Sequence, residues 1–133
     1  TGRKVSDATQ LAVANAGSDP RAQLYAYVDA TFRPPVLDPE LLATWVAFWS
    51  MVKSKPEIAQ VHAELYEEYR RDMERLIALC APHLSERDVR LAAVGITALV
   101  DGLWLELCLD PRTFTAAEAS DLAHRWVKNL LSE

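Results

Sequence analysis

Glycine is scarce in this chain of 133 residues: only Gly2, Gly17, Gly95 and Gly102 occur. They assemble neither GxGxxG nor GxxxxGK[ST], so a backbone cradle for nucleotide phosphates has no support. Cysteine is limited to Cys80 and Cys108, which form no CxxC and are too few for a disulfide scaffold. That usage fits a reducing cytoplasm. Strand-like alternation is sustained nowhere. Positive charge is short as well, with 14 Lys and Arg against 19 Asp and Glu and a net charge of −5. A phosphate backbone calls for a basic face, so this stretch is not expected to grip nucleic acid by itself.

Chemistry is equally thin. His62, His83 and His124 are scattered, with no HxxxH or HExxH spacing to bring two ligands onto one helical face. No metal and no cofactor is expected. Neither a GxSxG elbow nor a placed Ser/His/Asp set is present, so no catalytic residue is assigned and the chain does not read as an enzyme. The longest apolar run, Leu91 to Leu109, is interrupted by Asp101 and Glu106. A membrane span needs about 20 predominantly apolar residues, and two carboxylates inside it would be costly. The run reads as a helix buried in protein, with no membrane partner. No signal-peptide pattern precedes it, so a cytoplasmic location is expected.

What is present is a soluble, globular composition, half hydrophobic and a quarter charged, of a length that suits one domain. Asp19-Pro20 and Asp38-Pro39 each read as an N-cap followed by proline at the first helical position. Ser85-Glu86-Arg87-Asp88 and Thr115-Ala116-Ala117-Glu118 resemble capping boxes, the second more closely. These signals predict an all-α fold: a helical tail near Val5 to Ala16, then five helices. The five run near Pro20–Phe32, Pro39–Lys53, Pro56–Ala81, Glu86–Cys108 and Ala116–Leu131.

The helical stripes differ in kind. The Pro39–Lys53 segment carries one wide apolar stripe through Leu41, Leu42, Trp45, Val46, Phe48, Trp49 and Val52. In the next helix, Ile58, Val61, His62, Leu65, Tyr66, Tyr69, Met73, Leu76, Ile77 and Cys80 share a face opposite a charged one. The Glu86–Cys108 helix is apolar nearly all round and must be covered on more than one side. The last helix adds Leu122, Ala123, Trp126, Val127, Leu130 and Leu131. More apolar surface stands on these two helices than so small a domain is expected to cover. They predict a homodimer, a four-helix bundle across Leu99, Leu103, Leu107, Leu122, Trp126, Leu130 and Leu131.

An aromatic cluster remains. Trp45, Phe48, Trp49, His62, Tyr66, Tyr69 and Trp104 can be ordinary core, or they can border a ligand cavity between helices with His62 and Asp101 as its polar groups. Aromatic faces beside Asp101 suit an organic cation, and a mainly apolar or aromatic molecule fits as well.

The segment Ala43-Thr44-Trp45-Val46-Ala47-Phe48-Trp49, the following Lys55-Pro56-Glu57-Ile58, and Leu99-Val100-Asp101-Gly102-Leu103-Trp104-Leu105 resemble the C-terminal regulatory domain of TetR-family transcription factors. Within it they are most similar to the BetI-like group, typified by the repressor of the choline-to-glycine-betaine pathway. The likeness covers roughly residues 21–118. Glu106 departs from it, standing where relatives often carry a basic residue.

The resemblance implies a domain that dimerises through its last two helices and encloses an effector pocket. It also implies a separate N-terminal helix-turn-helix unit that holds operator DNA and is absent from this chain. Residues 1–16 would then be the end of the linking helix, and residues 17–133 the regulatory domain. The partners implied are a second copy of the chain, a small-molecule effector, and operator DNA through the absent unit. The competing expectation is a helical dimerisation module with a solid aromatic core and no ligand.

Overall fold

Six helices follow one another in the computed structural model, which describes residues 2–132, with side chains from Asp7 onward. They are α1 (Gly2–Asn15), α2 (Pro20–Ala30), α3 (Glu40–Met51), α4 (Pro56–Cys80), α5 (Glu86–Leu109) and α6 (Ala116–Leu131). The expected tail is α1 and the five expected helices are α2 to α6. Every boundary falls within three residues of its expected place, and among the described residues there is no strand. Thr1 and Glu133 lie outside the described residues.

The helix starts follow from local acceptors. A helix leaves its first N–H groups without intrahelical partners, and a side-chain oxygen just before it can accept from them. Asp19 accepts from the Arg21 N–H before α2, with Pro20 at the first helical position. Asp38 accepts from the Glu40 N–H at 3.0 Å, so it closes the start of α3 although the helix proper begins only after Pro39. Ser85 accepts from the Asp88 N–H at 3.1 Å but receives no reciprocal bond.

Only Thr115 and Glu118 form the full reciprocal box, at 3.1 and 2.9 Å. Thr115→Ala is accordingly expected to cost about 1 kcal/mol. Urea unfolding should show this as a lower midpoint at unchanged slope.

Burial divides the last two helices into inner and outer stripes. On α6, Ala119, Ala123, Val127 and Leu131 form an i,i+4 ladder that is wholly inside. The ladder one residue earlier faces out, with Leu122 41% and Trp126 52% exposed. On α5, Ala92, Ala93, Ile96, Val100, Trp104 and Leu107 are buried. Leu91, Val94, Gly95, Ala98 and Gly102 face outward at helical spacing. By length and composition α5 could cross a membrane. Here its buried stripe instead joins the core made with Leu24 and Val28 of α2, Met73, Leu76 and Ile77 of α4, and the inner ladder of α6.

One helix contributes nothing to that core. α3 is apolar on nearly every side, yet none of its residues is buried. A helix without a distinct polar face gives packing no single side to choose. The segment before it is anchored instead. Val36 is buried, and the Trp104 indole N–H donates to its carbonyl at 3.0 Å. That bond ties the approach to α3 down onto α5.

Candidate functional site

A cavity of about 170 Å³ opens between α3 and the inner helices. α4 supplies its longest wall. Leu65, Tyr66, Glu68, Tyr69 and Asp72 recur at the spacing that places side chains on one helical face. From α5 come Thr97, Asp101 and Trp104, and from α3 come Trp45 and Trp49. Tyr27 of α2, the following Thr31 and the buried Val36 line the side nearest the first helices. Thr9 and Gln10 of α1 complete the boundary.

Aromatic rings set its character. Tyr27 and Tyr69 meet with centroids 4.9 Å apart, and the Tyr27 hydroxyl donates to the Tyr69 carbonyl at 3.5 Å. Trp45 and Trp49 lie one turn apart on α3, with centroids at 6.0 Å. Behind this layer His62 stacks on Tyr66 at 4.3 Å, and Phe48 stands 6.0 Å from His62.

Of the eight residues expected from sequence, the structure therefore brings Trp45, Trp49, Tyr66, Tyr69, Asp101 and Trp104 to the cavity. Phe48 and His62 stand one layer back, supporting Tyr66. Tyr27, Val36, Thr31, Thr9, Gln10, Glu68, Asp72, Leu65 and Thr97 are lining residues that sequence reasoning did not single out. For Asp72 and Glu68 a signal existed: they are acids only two to seven positions beyond Leu65 and Tyr66 on the same helix.

Acidic groups occupy two stations on the lining. At the first, the Tyr66 hydroxyl donates to Asp101 Oδ2 at 3.3 Å. Burial pushes the Asp101 carboxyl up to about 6, and the Tyr66 bond offsets this only in part. Burial, with the Asp101 carboxylate beside it second, also pushes the Tyr66 hydroxyl up to about 12. At the second station, Gln10 Nε2 donates to Asp72 Oδ2 at 3.0 Å. Asp72 and Glu68 both add to the effect of burial in raising the Tyr27 hydroxyl above its ordinary value, which places them electrostatically close to it. Among the described residues no lysine, arginine or histidine lines the cavity.

The other histidine of interest lies elsewhere. His124 Nε2 contacts Asp29 Oδ1 at 2.7 Å, and its ring lies 4.4 Å from Tyr25, an arrangement that packs α6 on α2. Among the described residues no three His, Cys, Asp or Glu side chains form a group able to hold a metal ion.

The surface expected to pair two copies is only partly outward. Leu107 and Leu131 are buried in the protomer's own core, because each falls on the inner stripe of its helix. Leu99, Leu103 and Leu130 are half-buried, and Leu122 and Trp126 are exposed. Leu91 and Val94, 44% and 50% exposed, extend the same apolar surface along α5. Gly102 has open space where a Cβ would stand, and Gly95 would meet only the tip of Leu130 at 3.9 Å.

Comparison with known proteins agrees with this architecture. The family profile of the BetI-type transcriptional repressor C-terminal domain matches residues 20–132. HTH-type transcriptional regulator BetI of Stenotrophomonas maltophilia is 31% identical over 129 residues, covering 94% of this chain and 62% of that protein. BetI of Burkholderia lata is 34% identical over 117 residues, covering 88% of this chain and 59% of the relative. A crystal structure from Pseudomonas aeruginosa PAO1, described as a candidate transcriptional regulator, superposes with a TM-score of 0.90 at 36% identity. It matches 97% of this chain and 63% of its own. The chain thus spans about three fifths of the length of these relatives. By the family match, the sequence identity and the shared helical architecture, the chain belongs to the BetI-type C-terminal domains of the TetR transcriptional regulators.

Proposed function

We propose that this chain is the effector-sensing and homodimerising part of a TetR-family transcriptional regulator, a repressor released from its operator by a small molecule. Operator DNA would be held by an N-terminal helix-turn-helix of the longer protein. Residues 1–16 would be the end of the linking helix and residues 17–133 the regulatory domain, working in the cytoplasm. The observation that carries the reading is the aromatic cavity of about 170 Å³ between α3, α4 and α5. A plain dimerisation module would be expected to fill that space with side chains, because protein interiors pack to crystal-like density.

The position of the cavity supports a sensing role. Thr9 and Gln10 belong to α1, so an occupant touches that helix, and Gln10 is bonded to Asp72 on the opposite wall. Anything that parts this bond removes a side-chain tie between α1 and α4. The outward stripes of α5 and α6 support pairing through those helices, since a contiguous apolar surface is costly to leave in water.

Titration of choline and of its neutral isostere against tryptophan fluorescence tests the site, because Trp45, Trp49 and Trp104 all border it. A saturable change from either probe is expected, lost in Trp49→Leu. No response from either, together with a monomer at micromolar concentration by sedimentation, would overturn the proposal.

A further inference from the structure

Among the described residues every lining charge of the cavity is negative, and the acids fall at two separate places rather than one. We propose that the cavity selects a two-headed organic cation, a short alkyl diamine. One ammonium would sit at Asp101 beside Tyr66, and the other at Asp72 and Glu68 beside Tyr27. This deepens, and rests on, the reading of the cavity as an effector site.

Three observations carry it. First, among the described residues no cation pairs with Asp101, Glu68 or Asp72. The bond that holds Asp101 comes from Tyr66 and the one that holds Asp72 comes from Gln10, both neutral donors. The arginines of the same stretch of α4 are committed elsewhere, Arg70 to Glu74 and Arg71 to Glu67. A carboxylate removed from water without a cation is costly, and a bound ammonium relieves that cost at Asp101, whereas at the half-buried Asp72 and the exposed Glu68 it adds a direct charge pairing.

Second, the stations are set apart. Tyr66 and Asp72 are six positions apart on α4, about 9 Å along the axis at 1.5 Å per residue. A four- or five-carbon diamine with an N–H···O bond at each end covers about that span. A quaternary monocation reaches only one station.

Third, the space between is aromatic. The faces of Tyr27, Tyr69 and Trp49 border it, and they suit both a methylene chain and the ammonium groups at its ends.

Calorimetric titration of the full chain at pH 7.5 and low salt tests this with putrescine, butylamine, choline and butanediol. Putrescine is expected to bind at least tenfold more tightly than butylamine or choline, and butanediol not measurably. Asp72→Asn and Glu68→Gln should each lower putrescine affinity towards that of butylamine while moving butylamine itself less than threefold. Far-UV circular dichroism confirms that both variants are folded.

A putrescine-to-butylamine ratio near one overturns the diamine assignment, and so does a ratio that neither variant changes. Choline, butylamine or butanediol binding without that preference leaves the cavity standing as a binding site for another class of molecule. No binding by any of the four counts against the assignment and the effector reading together.

Discussion

Asp101→Asn is expected to make the protein more stable at pH 8 by about 2–3 kcal/mol, with the gain shrinking as the pH falls through 6 and nearly gone by pH 4. Burial raises the folded-state value of this carboxyl to about 6, above the ordinary 3.8 it has in the unfolded chain. A group raised in this way contributes its full stability below the unfolded value and loses it as the pH rises through the folded one. At about 1.4 kcal/mol for each tenfold change in proton affinity, a gap of about two pH units gives the stated size. Asparagine keeps the shape and a partner for the Tyr66 hydroxyl while removing the charge. Urea unfolding of both proteins between pH 4 and 8 checks it. A variant that is less stable at pH 8, or a difference independent of pH, would contradict the burial argument.

The second large effect concerns pairing. Trp126→Ala is expected to weaken homodimerisation by roughly 30- to 1,000-fold, the range for a large aromatic anchor worth about 2–4 kcal/mol at an interface. Trp126 is 52% exposed in the protomer, so protomer stability should change little. Gly102→Leu should act in the same direction for a different reason. The protomer leaves open space at its Cβ position, so the fold accommodates leucine, but a helix that approaches α5 closely cannot. Val127→Ala provides the contrast: it is fully buried and should lower the unfolding midpoint. Sedimentation velocity over a concentration series separates the two behaviours. A dimer untouched by both surface variants would place pairing elsewhere.

The helices were legible because their starts are written in local chemistry. Thr115, Ser85, Asp38 and Asp19 each accept from a backbone N–H at a helix start, so capping signals gave boundaries within three residues. Which face of each helix turned inward was harder to read. α5 is apolar nearly all round, and no period distinguishes Leu107, which is buried, from Leu91 or Val94, which are exposed. On α6 two apolar ladders run side by side, and only packing against α5 and α2 decides that the one ending at Leu131 is inside.

The aromatic part of the cavity was visible in the sequence because Tyr66 and Tyr69 share a helical face and Trp45 and Trp49 are one turn apart. Tyr27, Thr9 and Gln10 could not be found that way. They reach the cavity through the packing of α1 and α2, a tertiary relation with no local periodicity. His62 shares the apolar face of Tyr66, but it stacks on that ring rather than reaching the space beyond it.

The wall made by α3 differs from the others in what holds it. α4 and α5 present their site residues from helices whose other sides are locked into the core, whereas α3 has no buried residue of its own. Elements with few buried contacts open at low free energy. The cavity is therefore stiff where its acids stand and compliant where Trp45 and Trp49 face it. A compliant wall accommodates guests of unequal girth, but each guest must surrender part of its gross affinity to quieten that wall. If the cavity is the effector site proposed above, discrimination by charge is expected to be strict and discrimination by width lenient, a division of labour that follows from one helix lying on the protein rather than in it.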